Sequence, residues 1–360
     1  MEDRVSEATR PSNDAGATNP RPFRSVLVTG GAGYIGSHTT VKLIEAGYRV
    51  VIVDNLCNSF PESLHAVREI TGVEPAFHCG DIADVALIEH LIDTHGIEAV
   101  LHFAGFKAVG ESNEKPLAYY DNNVVGTLRL LQAMDAKGVR ALVFSSSATV
   151  YGEPERVPLD ENSPLRATNP YGRTKLFVEE MLRDLAASNP AWRISLLRYF
   201  NPVGAHPSGL LGEDPQGAPN NLVPYIAQVA VGRRPLLNVF GADYDTRDGT
   251  GIRDYIHVED LARGHLAALQ FLERNQGTHV HNLGTGRGYS VLEVVNAFER
   301  ASGRTVPYQV TDRRPGDIAA CWADTAKAAQ ELGWHAELDL EAMCTDAWRW
   351  QARNPNGFRQ

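Results

Sequence analysis

The sequence predicts an α/β protein: a doubly wound parallel sheet joined to a smaller α/β lobe. Three observations predict it. Short apolar, β-branched runs of the kind buried on both faces of a parallel sheet recur at 26–28, 49–53, 76–79, 99–103, 141–144 and 194–197. Helical stretches alternate with them, as where Val85, Ile88, Leu91 and Ile92 repeat at three- and four-residue spacing. The first run enters TGGAGYIG at once, where Gly30, Gly33 and Gly36 are spaced by three and Gly31, Gly33 and Gly36 satisfy G-x-G-x-x-G.

Strand, glycine turn and helix in that order open a Rossmann-type fold. Absent side chains let backbone N–H groups approach a pyrophosphate, and the helix N-terminus offers its positive end. The helix runs from Tyr34 to about Ala46 and stops at Gly47. The next strand ends in Asp54, eighteen residues beyond Gly36. A carboxylate there can accept from both ribose hydroxyls of an adenosine and repels a 2′-phosphate, which points to NAD rather than NADP.

In an alternating chain of this kind ligands lie at the carboxyl ends of the strands, which places Asp81, Ala104 and Lys107 on one edge. A long helix is expected from Pro116 to about Met134. The fifth strand then runs into Ser145-Ser146-Ser147, a polar pocket wall on the same edge. Tyr171 and Lys175 follow, four residues apart on a helix reaching about Ala187, so that phenol and ammonium share one face. Such a pair offers a phenol brought toward neutrality by a nearby cation, able to take a hydroxyl proton.

After Arg198-Tyr199-Phe200-Asn201 the pattern changes. Residues 202–222 are dense in Pro, Gly and Asn and read as a linker or a binding loop. Shorter elements follow: a helix at 222–231, a strand at 237–240, a helix at 258–273 and a final amphipathic helix at 338–350, with Trp334, Trp348 and Trp350 as core. A strand at 280–283 that returned to the main sheet would make the lobes discontinuous. The expected division is a mobile tail at 1–22, an NAD-binding domain at 23–201 rejoined by part of 250–285, and a substrate lobe at 202–360. His279 and His281 share a strand face, but no third ligand stands at a usual spacing, so no metal is expected.

With 360 residues, 43% of them hydrophobic, the chain can bury one large core or two joined ones. A net charge of −10 argues against nucleic acid or an anionic membrane as partner, so an anionic ligand must be held by local arginines. Four scattered cysteines fit a reduced, cytoplasmic setting. The first 22 residues lack the apolar run of a signal peptide, and no stretch approaches the ~20 apolar residues of a membrane span.

TGGAGYIG, Asp54, Ser147 and Tyr171-x-x-x-Lys175 together resemble the extended short-chain dehydrogenase/reductase superfamily. DNLCNS (54–59), HFAGFKAVGES (102–112), YYDNNVVGT (119–127), FSSSATVYG (144–152), LRYFNPVGAHPSG (197–209) and GTGIRDYIHV (249–258) narrow the resemblance to the UDP-glucose 4-epimerase family, from Ser25 to the C-terminus. The resemblance implies epimerisation at sugar C4. Tyr171 takes the 4-hydroxyl proton as C4 hydride passes to NAD, the 4-keto sugar turns over, and the same hydride returns. Ser147 relays the proton, and Lys175 holds the nicotinamide ribose and lowers the phenol pKa. NAD is expected to stay bound.

It further implies cofactor contacts from Gly30, Gly33, Tyr34, Ile35, Gly36, Asp54, Asn55, Asn58, Phe103, Ala104, Gly105, Ser145 and Tyr199. Asp81 and Ile82 would flank adenine, with Lys107 and Asn122 on the nicotinamide side. For the UDP-sugar it implies Asn201, Asn221 and Leu222, with Asn238 and Phe240 near uracil, Arg253 and Arg314 on the diphosphate and Asp317 on ribose. Two guanidiniums suit a diphosphate in an acidic protein. A homodimer through the helices beginning near Pro116 and Tyr171 is implied as well.

One departure bears on substrate choice. Relatives restricted to UDP-glucose and UDP-galactose typically carry tyrosine four residues after the aspartate matching Asp317, and here the residue is Cys321. The smaller side chain opens volume for an N-acetyl group, so UDP-GlcNAc and UDP-GalNAc are expected substrates too. A nucleotide-sugar 4,6-dehydratase would share the fold but carry Asp-Glu where this chain has Ala148 and Thr149, which cannot do that acid–base work. A non-catalytic NAD sensor would have no need of Ser147, Tyr171 and Lys175 together, and a UDP-sugar 4-reductase would depend on added NADH.

Overall fold

The structure, a computed structural model, describes residues 22–217, 219–314 and 316–358; the tail expected at 1–22 lies outside them but for Pro22. Seven parallel strands form the main sheet: β1 (Ser25–Thr29), β2 (Arg49–Asp54), β3 (Ala76–Cys79), β4 (Ala99–His102), β5 (Ala141–Ser147), β6 (Arg193–Tyr199) and β10 (Gly277–Leu283). Their spatial order is β3-β2-β1-β4-β5-β6-β10, so the chain winds outward from β1 in both directions. Val26 and Val28 join one core and Leu27 the other, as alternation across a doubly covered sheet requires. One face carries α1 (Tyr34–Glu45) and α9 (Val258–Leu272), the other α3 (Val85–His95), α6 (Gly126–Ala136) and α7 (Pro170–Ser188). The returning strand is real: β10 pairs β6 in register from Gly277↔Arg193 to Leu283↔Tyr199.

Four helices have no counterpart in the pattern reading: α2 (Glu62–Thr71), the short α4 (Val109–Glu114), α10 (Val291–Ser302) and the short α11 (Ala326–Leu332). The helix expected from Pro116 to Met134 is three pieces: α5 (Pro116–Tyr119), a π-helical stretch from Tyr120 to Val125, then α6. Within the wide turn Asn123 is buried, its amide accepting from Phe106 N (2.8 Å) and donating to Phe106 O (3.0 Å) and Thr174 Oγ1 (3.1 Å). It fastens the loop after β4 to α7, and a 3.6-residue apolar period carries no sign of such a bulge.

Beyond β6, the short β7 (Asn201–Val203) pairs β9 (Ile252–His257), which also pairs β11 (Gly288–Ser290) and β13 (Ala320–Cys321); β8 (Leu237–Phe240) pairs β12 (Tyr308–Thr311). A third core joins α8 (Leu222–Ala230), α10 (Val291–Ser302) and α12 (Leu340–Arg353), with Trp348 edge-on to Phe298. The short α11 (Ala326–Leu332) lies by α9 and β10. Trp334 and Trp350 are buried. His281 Nε2 lies 2.9 Å from Glu331 Oε2 and His279 Nε2 2.9 Å from the carbonyl of Gln276, so the two rings have different partners. All four cysteines are free, and among the described residues no helix is long and apolar enough to cross a membrane.

Candidate active site

A cavity of about 780 Å³ opens at the carboxyl edge of the main sheet, and every cofactor and substrate residue that the resemblance implies lines it; Ser146, expected in the pocket wall, does not, its hydroxyl turning to Glu179 instead. At one end is the glycine turn. Gly30 stands at φ 70°, where a Cβ would lie 2.7 Å from Ala104 N; at Gly36 a Cβ would lie 2.3 Å from Gly30 O. Side chains are excluded at both positions, and Gly33 caps α1 without any side-chain bond to its first N–H groups. Backbone donors therefore face the cavity, the cradle a pyrophosphate needs.

Asp54 differs from expectation in one respect. Its Oδ2 accepts from Ala32 N (3.0 Å), and its Oδ1 from Leu56 N (2.9 Å) and Ser59 Oγ (2.9 Å). A carboxylate has about four lone-pair sites, so three are filled by the protein and about one is left where two ribose hydroxyls were expected. The residue also ties the glycine turn to β2. Beside it Asn55 Nδ2 donates to Asp81 Oδ2 (2.9 Å).

The middle of the cavity is set by the start of α7. Asn169 caps the helix by accepting from Gly172 N (2.9 Å), and Pro170 occupies its first turn, so Tyr171 enters at a fixed height. Lys175 Nζ donates to Ser145 O (2.8 Å) and sits 5.9 Å from the Tyr171 ring centroid. Ser147 Oγ accepts from Thr149 N (3.2 Å) and Thr149 Oγ1 (3.0 Å), which turns its own proton toward the Tyr171 phenol. Tyr199 OH meets Ser145 Oγ. The serine run is thus a buried, fully engaged strand end.

Lys175 does not bring the phenol toward neutrality in this structure. Burial pushes Tyr171 up, and the Ser147 hydrogen bond pulls it partly back. Lys175 is itself brought down to about 8 by burial, with its ammonium engaged by a carbonyl. Desolvation of the phenolate outweighs a cation at that distance.

The other end is lined by side chains paired with one another. Arg314 Nε donates to Asp317 Oδ2 (3.1 Å) and the guanidinium stacks 4.5 Å from the Phe240 centroid. Arg253 Nη1 donates to Ile252 O (2.8 Å), and Asn238 Oδ1 accepts from Gln309 Nε2 (2.8 Å). Cys321 is buried on β13, in register with Arg253, its thiol pushed up to about 11 by burial. Glu213, which sequence patterns do not single out, bonds Lys107 Nζ (2.8 Å) and Asn221 Nδ2 (3.2 Å). The stretch 202–222 is therefore a loop that lines the cavity rather than a plain linker. Thr149 is the other lining residue whose part is unannounced in sequence, since its partner Ser147 is known only from the folded geometry. Among the described residues no group of three or more His, Cys, Asp or Glu converges as a metal site.

The family model described as GDP-mannose 4,6 dehydratase matches residues 27–347. A UDP-glucose 4-epimerase from Dictyostelium discoideum is 59% identical over 334 residues, covering 92% of this chain and 97% of that one. One from Bacillus subtilis is 59% identical over 335 residues, covering 93% and 99%. A crystal structure of UDP-glucose 4-epimerase from Bifidobacterium longum with NAD+ and UDP superposes with a TM-score of 0.90 at 55% identity, covering 92% of this chain and 99% of its own. With its glycine cradle, Tyr171, Lys175 and paired arginines on one cavity, the chain belongs to the family that model describes and, within it, to the UDP-glucose 4-epimerases.

Proposed function

We propose that this protein inverts C4 of UDP-hexoses, interconverting UDP-glucose and UDP-galactose through a transient 4-keto sugar. The observation that carries the reading is Tyr171, Ser147 and Lys175 meeting midway along a cavity with a pyrophosphate cradle at one end and Arg253 and Arg314 at the other. NAD would be held by the Gly30–Gly36 turn, Asp54, Asp81 and Lys175, and when bound would supply a hydride acceptor and a positive charge. Tyr171 takes the O4 proton and later returns it. Ser147 donates its one proton to the Tyr171 phenol, and to relay the O4 proton as well its oxygen exchanges a bond from Thr149 for one from the sugar hydroxyl. Burial disfavours the phenolate, so base chemistry needs added positive charge, of which Lys175 is the chain's own source. Arg253 and Arg314 anchor the diphosphate while the hexose turns, at the expense of the Arg314–Asp317 pair.

Three finer assignments accompany this. The NAD-binding unit comprises 23–201 with part of 250–285, supported by β10 beside β6, and the remainder of 202–360 forms the UDP-sugar lobe. The protein acts in the cytoplasm as a homodimer. Supporting the dimer, Leu117, Leu128 and Phe177 stay exposed on α5, α6 and α7, with Leu117 82% accessible. Cys321 leaves room for a 2-N-acetyl group, so the UDP-GlcNAc/UDP-GalNAc pair is also turned over.

Purified protein assayed side by side on UDP-galactose and UDP-GalNAc, with no NAD added, tests the reading. Turnover of both supports retained NAD and the open pocket. Turnover of UDP-galactose alone removes the broader substrate range. No turnover of either, even with NAD supplied, brings the sensor reading forward.

A further inference from the structure

Behind the catalytic groups, on the side away from the cavity, lies an ion pair that the reaction itself does not use. Glu179 and Arg198 are 0% and 1% exposed. Arg198 Nε and Nη2 donate to Glu179 Oε1 (2.9 Å) and Oε2 (2.6 Å), a bidentate fork. Ser146 Oγ donates to the same Oε1 (2.6 Å), and Arg183, one turn on, donates to Oε2 (2.8 Å). The remaining guanidinium nitrogen, Nη1, reaches Tyr151 OH and the carbonyl of Glu161, each at 3.2 Å. Every donor nitrogen of the guanidinium and both carboxylate oxygens are engaged.

The pair has a definite place in the fold. Ser146 on β5, Arg198 on β6 and Asn282 on β10 are register partners, a single polar row across three adjacent strands, and Tyr151 OH donates to Asn282 Oδ1 (2.6 Å). Above the row, Tyr171, Lys175 and Glu179 follow one another at four-residue spacing on the buried side of α7. Three consecutive residues of β5 are thus tied to one helix: Ser145 through its carbonyl to Lys175, Ser146 through its hydroxyl to Glu179, and Ser147 to Tyr171.

A fully desolvated ion pair is a poor way to gain stability, because apolar side chains of the same volume often do as well or better. A two-pronged fork, however, has one geometry, and any rotation or slide of α7 against β5 and β6 breaks it. We infer that Glu179 is a positioning residue for the C4 chemistry: its fork with Arg198 and its bond from Ser146 set the height and rotation of α7, and hence the approach of Tyr171 to Ser147 and of Lys175 to Ser145. This rests on the epimerase reading above.

Two variants of the full-length protein test it, Glu179→Gln and the double variant Glu179→Met/Arg198→Met. In Glu179→Gln, bound NAD and the KM for UDP-galactose stay near wild type while kcat falls about 10–100-fold, the scale of a catalytic group displaced by about 1 Å. The acidic limb of kcat against pH moves upward, because Tyr171 loses its aligned hydrogen bond from Ser147. The double variant melts at or above the wild-type temperature yet keeps the low kcat, and it carries the test alone if the single variant fails to fold. Wild-type kcat and pH profile in folded Glu179→Gln, or kcat recovered along with stability in the double variant, would overturn the inference and leave the pair merely structural. A wild-type protein inactive on UDP-galactose would instead strike at the epimerase reading itself.

Discussion

The two ends of the cavity are built differently. At the cofactor end the surfaces are backbone N–H groups, buried carboxylate and buried ammonium, each held by the main sheet: Asp54 by three protein donors, Lys175 by a strand carbonyl. At the UDP end they are long side chains paired with one another and partly in water. The Arg314 side chain is 53% exposed against Asp317, and Asn238 is held by the exposed amide of Gln309. The first end is preorganised and has little to rearrange on binding. The second must exchange partners each time a nucleotide enters or leaves. A site that kept its cofactor while releasing its product would need that asymmetry.

Removing the phenol strikes between the two ends. Tyr171→Phe should lower kcat by about 10²–10⁴-fold, the usual worth of a positioned acid–base group, while NAD remains bound. Gly36→Ala attacks the rigid end: a methyl 2.3 Å from Gly30 O has no room, so the purified variant should carry little NAD by absorbance and by enzymatic release, or fail to accumulate. Arg314→Met attacks the mobile end. Loss of one charged contact worth about 1.5–3 kcal/mol should raise the KM for UDP-galactose about 10–150-fold with NAD content unchanged.

The milder contrast is in pH. Burial holds His38 and His265 at about 4 and His102 at about 3, all on the main sheet or the helices covering it. Each is neutral in the folded protein below the pH at which it gains a proton unfolded, so their contribution is unperturbed above about 6.5 and stability is lost as pH falls from there toward 4. At pH 5 the loss is about 2 kcal/mol per histidine, read as a falling thermal midpoint.

The parallel sheet was legible because its strands are apolar runs ended by small or polar residues, and the cofactor cradle because glycine spacing reports backbone geometry directly. Tyr171 and Lys175 were legible together because helical spacing stacks them. The UDP end needed the family resemblance, since Arg314 and Asn238 stand on short elements whose meeting is a long-range matter. The π-helical turn at Tyr120–Val125, the occupancy of Asp54 and the bridge through Glu213 are tertiary events with no local pattern. Nor does sequence reveal that burial overrides Lys175 at the phenol.

The most direct measurement follows the hydrogen itself. UDP-galactose carrying deuterium at C4 is turned over by purified protein with no NAD added, and the UDP-glucose formed is examined by NMR. Deuterium retained at C4 in every product molecule is the result expected of one tightly held NAD and a returned hydride. Deuterium lost to solvent, or product formed only when NADH is supplied, would contradict an epimerase acting in this cavity.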